Sequence, residues 1–317
     1  MVAMSVVVTG GAGFIGSHLV EKLLSLGYQV TVVDNFSSGR IENLSGISSE
    51  IRLIRGDLRL PEVSEEAIRD EVDTVFHFAA NPEVRVGDPK EHYENNILAT
   101  YNLLEAMRRR DVKRIVFAST STVYGDAARL PTPEDYSPMK PISLYGASKL
   151  ACESMISAYT YTYGFTAVAL RYANVVGPRA KRGVVKDFVA KLKANPHELE
   201  ILGDGTQRKS YIWIDDAVEG TITAWQKTLR GFEAYNVGSE DSITVLDVAA
   251  IVVKEMGLTN VRYKITGGVD GGRGWVGDVK YMHLDIRKLK ALGWAPKFNS
   301  SEAVRKAAKA AIGELTR

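Results

Sequence analysis

Cysteine is nearly absent: the 317-residue chain carries one, Cys152. A single thiol excludes an internal disulfide and any cysteine-based zinc site, and it suits a reducing compartment. Long apolar runs are missing as well. None reaches the length needed to cross a bilayer, so no membrane partner is expected. Neither sign of charge is in excess, since 40 Lys and Arg stand against 38 Asp and Glu, a formal net charge of +2. That balance carries no signature of nucleic acid or of anionic membranes as partners. There is no internal repeat, no low-complexity tract and no inter-domain linker. What is left is a 45% hydrophobic, 25% charged composition, suited to one large α/β domain or two smaller ones. The first strand-like run starts within a few residues of Met1. That leaves no room for a cleavable leader, and a cytoplasmic location is expected.

What is present starts at the opening, Val6-Val7-Val8-Thr9-Gly10-Gly11-Ala12-Gly13-Phe14-Ile15-Gly16. A β-branched run ends in a glycine cluster and a helix-period segment, Phe14 to Leu26, follows at once. The order reads as strand, tight turn, helix. Glycine is required where a turn takes positive φ and where backbone must approach a pyrophosphate. The helix beginning near Phe14 then offers free N–H groups and the positive end of its dipole. Gly10, Gly13 and Gly16 are spaced wider at the front than in G-x-G-x-x-G, with Gly11 also in the turn. A second buried strand, Gln29 to Val33, ends in Asp34, an acid placed to bind an adenosine ribose diol. Its carboxylate would repel a 2′-phosphate, so NAD is expected rather than NADP.

The segment from Asn35 to Gly46 is polar and reads as a loop with one short helix. Ile51-Arg52-Leu53-Ile54 is a third strand ending in Gly56-Asp57-Leu58. Asp57 there is placed either to meet an adenine amino group or to cap the helix after Pro61. Thr74 to Ala80 is a fourth strand, buried on both faces apart from His77, with the small Ala79 and Ala80 letting a cofactor lie across its end. Tyr93 to Arg110 has apolar residues at helical spacing. Its Asn95-Asn96 pair is unusual, because asparagine is a mediocre helix former; Asn96 is either a buried tie near the site or solvated. A fifth strand, Arg114 to Ala118, runs into the hydroxyl-rich Ser119-Thr120-Ser121-Thr122-Val123-Tyr124-Gly125. The alternation predicts an α/β fold with a doubly wound parallel sheet of Rossmann type, ligands lying at the strands' carboxyl ends. After Arg171 it blurs. Residues 174–205 read as loops around one amphipathic helix, Val184 to Ala194, and Gly267 to Gly274 as a mobile glycine-rich loop. The division expected is a dinucleotide-binding domain over 1–172, rejoined by parts of 208–238, and a smaller C-terminal substrate-binding lobe over 173–317.

The reaction is indicated by Tyr145-Gly-Ala-Ser-Lys149, opening a helix after Pro141. Four residues apart, the two side chains share one helix face. A free phenol, with a pKa of about 10, is no base at neutral pH. A neighbouring ammonium and a positive nicotinamide ring both favour phenolate. Lowering the pKa by about 3 units takes about 4 kcal/mol, which close charges in a dry cleft can supply.

With these residues in order, the chain resembles the extended short-chain dehydrogenase/reductases, in the nucleotide-sugar branch around the UDP-galactose 4-epimerases. Thr9-Gly10-Gly11-Ala12-Gly13-Phe14-Ile15-Gly16, Asp34-Asn35, Gly56-Asp57, Phe78-Ala79-Ala80, Thr122-Val123-Tyr124-Gly125, Tyr145-x-x-x-Lys149 and Leu170-Arg171-Tyr172-x-Asn174 all match the family's pattern. The resemblance implies a catalytic Thr120 beside Tyr145 and Lys149, and NAD held tightly through every cycle. Gly10, Gly13, Phe14, Ile15, Gly16, Asp34, Asn35, Ser37, Gly39, Asp57, Leu58, Phe78, Ala79, Ala80, Asn96, Ala118 and Tyr172 would contact the cofactor. Asn174 should meet the diphosphate of a UDP-hexose, with Val184 and Val185 also lining its site. The family's diphosphate arginine falls at Lys209 here, with Arg208 one before it, and which of the two binds stays open. The usual Arg-Pro-Gly-Asp is replaced by Arg273-Gly274-Trp275-Val276-Gly277-Asp278. Arg273 is then a displaced arginine, and Asp278 would take the nucleoside ribose. Four residues on, Met282 or its neighbour Tyr281 would wall the sugar pocket. Related dehydratases and decarboxylases carry a carboxylate where this chain has Ser121 and Thr122. Its absence leaves oxidation and re-reduction at C4, the interconversion of UDP-glucose and UDP-galactose. The alternatives are epimerisation of UDP-N-acetylglucosamine or UDP-glucuronate, a simple NAD-dependent dehydrogenase, and a non-catalytic NAD-binding protein. A homodimer through the Tyr93–Arg110 and Tyr145–Tyr163 helices is expected by analogy of fold. No metal is expected.

Overall fold

The computed structural model describes residues 4–69, 71–85 and 87–314. Strand β1 (Ser5–Thr9) is followed by a helix over Phe14–Ser25 and by β2 (Gln29–Asp34), β3 (Ile51–Arg55), β4 (Val72–His77), β5 (Arg114–Thr120) and β6 (Thr166–Tyr172). All run parallel, joined on the far side of β6 by the strand Gly231–Val237. The spatial order is Gly231–Val237, β6, β5, β4, β1, β2, β3. The chain thus winds outward from β1 in one direction and, from β4, in the other. A crevice opens above the carboxyl ends of β1 and β4, where the winding reverses.

The strands read as near-continuous apolar runs because helices cover both faces. Val6, Val8, Val32 and Phe76 pack in one cluster, Val7, Val33, Val75 and Phe117 in the other. One departure from the sequence reading lies here: His77 is fully buried, not turned to solvent. Nδ1 and Nε2 are hydrogen-bonded to the hydroxyls of Thr9 (2.7 Å) and Thr100 (2.9 Å), so an imidazole fits where an unpartnered polar group would not. Burial, reinforced by the nearby Lys149 ammonium, lowers its pKa to about 3.

Beyond β6 the structure is more ordered than loops around one helix. Asn174–Val176 pairs with Tyr211–Trp213, and Glu198–Ile201 with Arg262–Ile265. Arg208–Lys209 lies between Ile243–Thr244 and Tyr281–Met282. These strands have two to four residues and distant partners, too short for a periodic signal. The helix Val184–Ala194 is present with those bounds. The glycine-rich stretch is closed by an isolated bridge between Val269 and Arg273 and by the Asp204 N–H donating to the Gly272 carbonyl at 2.9 Å. One hydrophobic cluster runs from Val6 and Phe76 through Trp225 and Trp213 to Ala311, so the two parts share a core.

Candidate active site

The turn after β1 is shaped by contacts a side chain would prevent. Gly10 has φ +68°, and a Cβ on it would lie 2.6 Å from the Ala79 nitrogen; one on Gly16 would collide with the Gly10 carbonyl oxygen. Gly13 caps the helix Phe14–Ser25, which has no side-chain cap and no acid in its first turn. Its first amides and dipole therefore meet the crevice without a competing carboxylate. Asp34 ends β2, and its carboxylate accepts the Ala12 N–H at 2.9 Å and the Phe36 N–H at 2.8 Å. Burial raises its pKa, against which these two amides and Lys181 act. Gly39 sits beneath it, with room for no Cβ: the nearest carboxylate oxygen would be 2.7 Å away. A cradle for phosphates at the glycine turn and an acid at the tip of β2 fit an NAD molecule laid across β1 and β4.

The other residues expected at the cofactor gather on the same crevice. Asn35 donates to Asp57 at 3.1 Å, and Ser37 N–H to the Asn35 side chain at 3.0 Å. Asp57 caps no helix: Arg59 holds it through Nε at 3.1 Å and Nη2 at 2.8 Å. Leu58 is buried, its carbonyl taken by Asn102. Phe78, Ala79 and Ala80 continue from β4, the Ala79 N–H donating to Thr9 at 3.2 Å. The Phe78 ring lies 6.3 Å from that of Tyr172, whose hydroxyl pairs with Thr221 at 2.5 Å. Asn96 is a buried tie, while Asn95 is largely turned away from it. Asn96 Oδ1 accepts the Asn81 N–H at 2.7 Å, and Nδ2 donates to Ser148 at 2.8 Å. The helix there takes a π turn, Tyr93–Leu98, a form that concentrates at functional positions.

Tyr145 and Lys149 lie in the first turns of the helix Leu144–Tyr163, capped by the Ser143 hydroxyl, which accepts the Gly146 N–H. Thr120, the last residue of β5, lies beside the Tyr145 phenol, whose pKa it lowers, and is hydrogen-bonded to the Thr122 hydroxyl at 3.1 Å. Lys149 is buried and donates to the Ala118 carbonyl at 2.8 Å, with Nζ 4.5 Å from the centre of the Phe117 ring. Burial pulls the ammonium down to about 8, against the opposing Cys152 and Glu153. Burial pushes the phenol up to about 12, only partly offset by Thr120. The sequence spacing assigns the ammonium to the ionisation of the phenol. In this structure the ammonium is anchored on the Ala118 carbonyl, the acceptor that a buried ammonium needs.

In the second lobe Lys209 and Asp278 meet, Nζ to Oδ1 at 2.5 Å, and the Gly274 N–H donates to the other carboxylate oxygen at 3.1 Å. Arg208 points elsewhere and donates to the Ser242 carbonyl at 2.6 Å. Arg273 joins the Lys209 side through a fork on Asp126 (3.0 and 2.8 Å) and the Asp278 carbonyl at 2.7 Å. Asn174 lies in register with Tyr211 across their two short strands. Val185 is buried at the start of its helix and Val184 partly so. Met282 is buried in register with Lys209, and Tyr281 is exposed in register with Arg208. Missed from sequence were the roles of Asn81, Ser148 and Trp275, while Thr122 was read as the place without a carboxylate and not as a partner of Thr120. The indole N–H of Trp275 has no hydrogen-bond partner among the described residues, and Arg85 and Lys209 stand 5.3 and 5.4 Å from its ring centre. Ser148 lies inside the Tyr-x-x-x-Lys span and could have been suspected; Asn81 and Trp275 carry no local signal.

Known proteins share this arrangement. The model of the NAD dependent epimerase/dehydratase family matches residues 6–238. A putative UDP-glucose 4-epimerase of Methanocaldococcus jannaschii is 34% identical over 310 residues, 95% of this chain and 96% of its own. A crystal structure of a UDP-galactose 4-epimerase is 48% identical with a TM-score of 0.88, covering 98% of this chain and all of that one. The Thermus thermophilus UDP-glucose 4-epimerase, solved with NAD, is 36% identical with a TM-score of 0.85, covering 98% and 99%. With two thirds or more of each chain shared and the glycine turn, Asp34 and Tyr145-x-x-x-Lys149 in place, the chain belongs to the NAD-dependent epimerase/dehydratase family.

Proposed function

We propose that the chain is an NAD-dependent 4-epimerase of UDP-hexoses, interconverting UDP-glucose and UDP-galactose. The observation that carries this reading is the Thr120–Tyr145–Lys149 group at the head of a dinucleotide cleft, with Ser121 and Thr122 where a dehydrating or decarboxylating relative has an acid. NAD, when bound, supplies a hydride acceptor and donor and a positive ring. Tyr145 takes the C4 hydroxyl proton in oxidation and returns it in reduction. Thr120 holds the sugar oxygen and the phenol in one hydrogen-bonded line. Lys149, fixed on the Ala118 carbonyl, keeps a positive charge beneath that line. With the phenol pushed up to about 12 by burial, the base form depends on charge brought by the loaded cofactor.

Between the two steps the ketose must present its other face. The grip therefore belongs on the nucleotide and not on the sugar. Asn174 and Lys209 are assigned the diphosphate and Asp278 the ribose, and Arg208, turned to Ser242, is left out. Lys209 and Asp278 neutralise each other in this structure and would exchange that bond for the substrate's groups. Arg273 orients Asp278 through its carbonyl. Residues 1–172 with the strand Gly231–Val237 form the cofactor domain, and the remainder carries the substrate. Tyr93, Tyr101 and Tyr161 are exposed on two neighbouring helices, and a homodimer through those faces in the cytoplasm completes the proposal.

Burial of Met282 beside Lys209 favours a second substrate, UDP-N-acetylglucosamine, because a flexible thioether yields to an acetamido group where a phenol would not. The experiment is incubation of purified protein with UDP-galactose and no added NAD. Formation of UDP-glucose without net NADH supports the reading; NADH accumulation only on added NAD would replace it with a dehydrogenase.

A further inference from the structure

Tyr145, Lys149 and Glu153 recur every four residues, so they stack along one side of the helix Leu144–Tyr163. The third is not used by the chemistry above. Glu153 is 3% exposed and its partner Arg171, in β6, is 4% exposed. Arg171 donates to the two carboxylate oxygens through Nε at 3.1 and 3.2 Å and through Nη2 at 2.7 Å. Ser119 donates its hydroxyl to the same carboxylate. The other arm of the guanidinium, Nη1, donates to the Tyr124 hydroxyl at 2.9 Å and the Glu134 carbonyl at 2.8 Å. Tyr124 passes the line on to Asn236 at 2.8 Å.

Each end of this pair touches a piece that carries the reaction. Glu153 belongs to the helix of Tyr145 and Lys149. Ser119 stands directly before Thr120 and directly after Ala118, whose carbonyl holds Lys149. Arg171 lies in register with Ser119 across β5 and β6, and Tyr124 closes the turn that follows Thr120. A buried ion pair adds little stability over well-packed apolar residues of the same size. What it adds is direction, since a planar fork fixes distance and angle together.

We propose that Glu153 and Arg171 are positioning residues that set the depth and rotation of the catalytic helix, holding the Tyr145 phenol within hydrogen-bonding reach of Thr120. The proposal rests on the epimerase reading for its kinetic readout but not for its spectroscopic one. The titratable groups around the phenol and ammonium are His92 from the helix Pro89–His92, His77 from β4, Arg171 from β6, and Cys152 and Glu153 on their own helix. Deleting only the Glu153 charge leaves Arg171 uncompensated, which favours phenolate and lowers its pKa. Displacing the helix takes the phenol away from Thr120 and the cofactor, which raises it. The two effects have opposite signs.

The test uses NAD-loaded protein carrying Glu153→Gln, or the apolar pair Glu153→Met with Arg171→Met, which changes no net charge. The expected result is a kcat lowered by about 10- to 100-fold with KM within about threefold. Phenol ionisation, read from tyrosinate absorbance against a matching Tyr145→Phe background, should move to higher pH in the apolar pair. A folded apolar pair with wild-type kcat and an unmoved or lowered phenol titration overturns the proposal. If both variants fail to fold or to hold NAD, the pair is a requirement of the fold and the proposal is likewise overturned. Should wild-type protein turn over no UDP-hexose, the function reading fails, while the tyrosinate titration still decides the positioning role.

Discussion

On the proposed mechanism, one oxygen atom at Tyr145 separates activity from its loss. Tyr145→Phe keeps the ring in its packing and removes the hydroxyl that lies beside Thr120. Turnover of UDP-galactose should fall by about 10²–10⁴-fold or more, with NAD still bound and the melting temperature nearly unchanged. A variant retaining over half of wild-type turnover would contradict the assignment. Because burial raises the phenol, kcat should climb with pH until the loaded enzyme's phenolate is complete. His77 gives a second residue-scale expectation. Its folded pKa of about 3 lies below the ordinary 6.5, so the unfolded chain takes the proton first. The stabilisation is full above pH 6.5 and is lost as pH falls toward 3, at about 1.4 kcal/mol per pH unit. His77→Gln, which offers an acceptor and a donor to Thr9 and Thr100, should flatten the urea-derived stability between pH 6 and 4 by that slope. An unchanged slope would mean that other groups carry the acid sensitivity. The sequence placed His77 in the correct strand. What it lacked was the hydroxyl on each side, one from a neighbouring strand and one from a helix.

At the scale of elements, the π turn Tyr93–Leu98 does what an ordinary helix cannot. Asn96 is the buried residue of that turn. Its amide spans from the Asn81 backbone to Ser148, whose hydroxyl donates to the Tyr145 carbonyl at 2.8 Å. The segment after β4 and the catalytic helix are thereby tied to one side chain. Asn96→Ala removes the acceptor of the half-buried Asn81 N–H and one donor to Ser148, which keeps its own bond to the Tyr145 carbonyl, a loss of about 1–3 kcal/mol. We expect a lower melting temperature and faster loss of NAD on gel filtration; equal retention of cofactor would show that the tie serves the fold alone. Elements of this size divide cleanly in legibility. The five strands β1 to β5 and the helices up to Ala194 have local periodicity, caps or glycine stops and could be read, whereas β6 and the helices Ile214–Lys227, Val245–Glu255 and Ser300–Glu314 were not. The strands Asn174–Val176, Arg208–Lys209 and Tyr281–Met282 have two or three residues each. Their existence is decided by partners up to 73 positions away, as in Tyr281 opposite Arg208, so no window of sequence contains the information.

Across the whole molecule, the proposed cofactor half repeats a pattern shared by related chains, and the proposed substrate half would decide what this one accepts. The glycine turn, Asp34 and Tyr145-x-x-x-Lys149 could be read in isolation because each motif holds its own geometry. Lys209, Asp278 and Met282 could not, since they come together only when three short strands align beneath the shared core. That alignment also separates the two candidates for the wall of the sugar pocket. In the parallel pairing, Met282 takes the face of Lys209, and Tyr281 takes that of Arg208, whose side chain runs outward to Ser242. Met282 is 6% exposed and Tyr281 is 47% exposed, so the face bearing the proposed diphosphate ligand is the methionine's. If Met282 bounds the sugar, wild-type protein should turn over UDP-N-acetylglucosamine as well as UDP-glucose. Met282→Tyr puts a rigid ring in that space. It should lower kcat/KM for the acetylated sugar by about 10-fold or more, the scale of steric discrimination in a packed pocket, while UDP-glucose loses much less. Equal losses on the two sugars would mark Met282 as a core residue whose enlargement disturbs the lobe, and an unchanged ratio with full stability would place the sugar wall elsewhere.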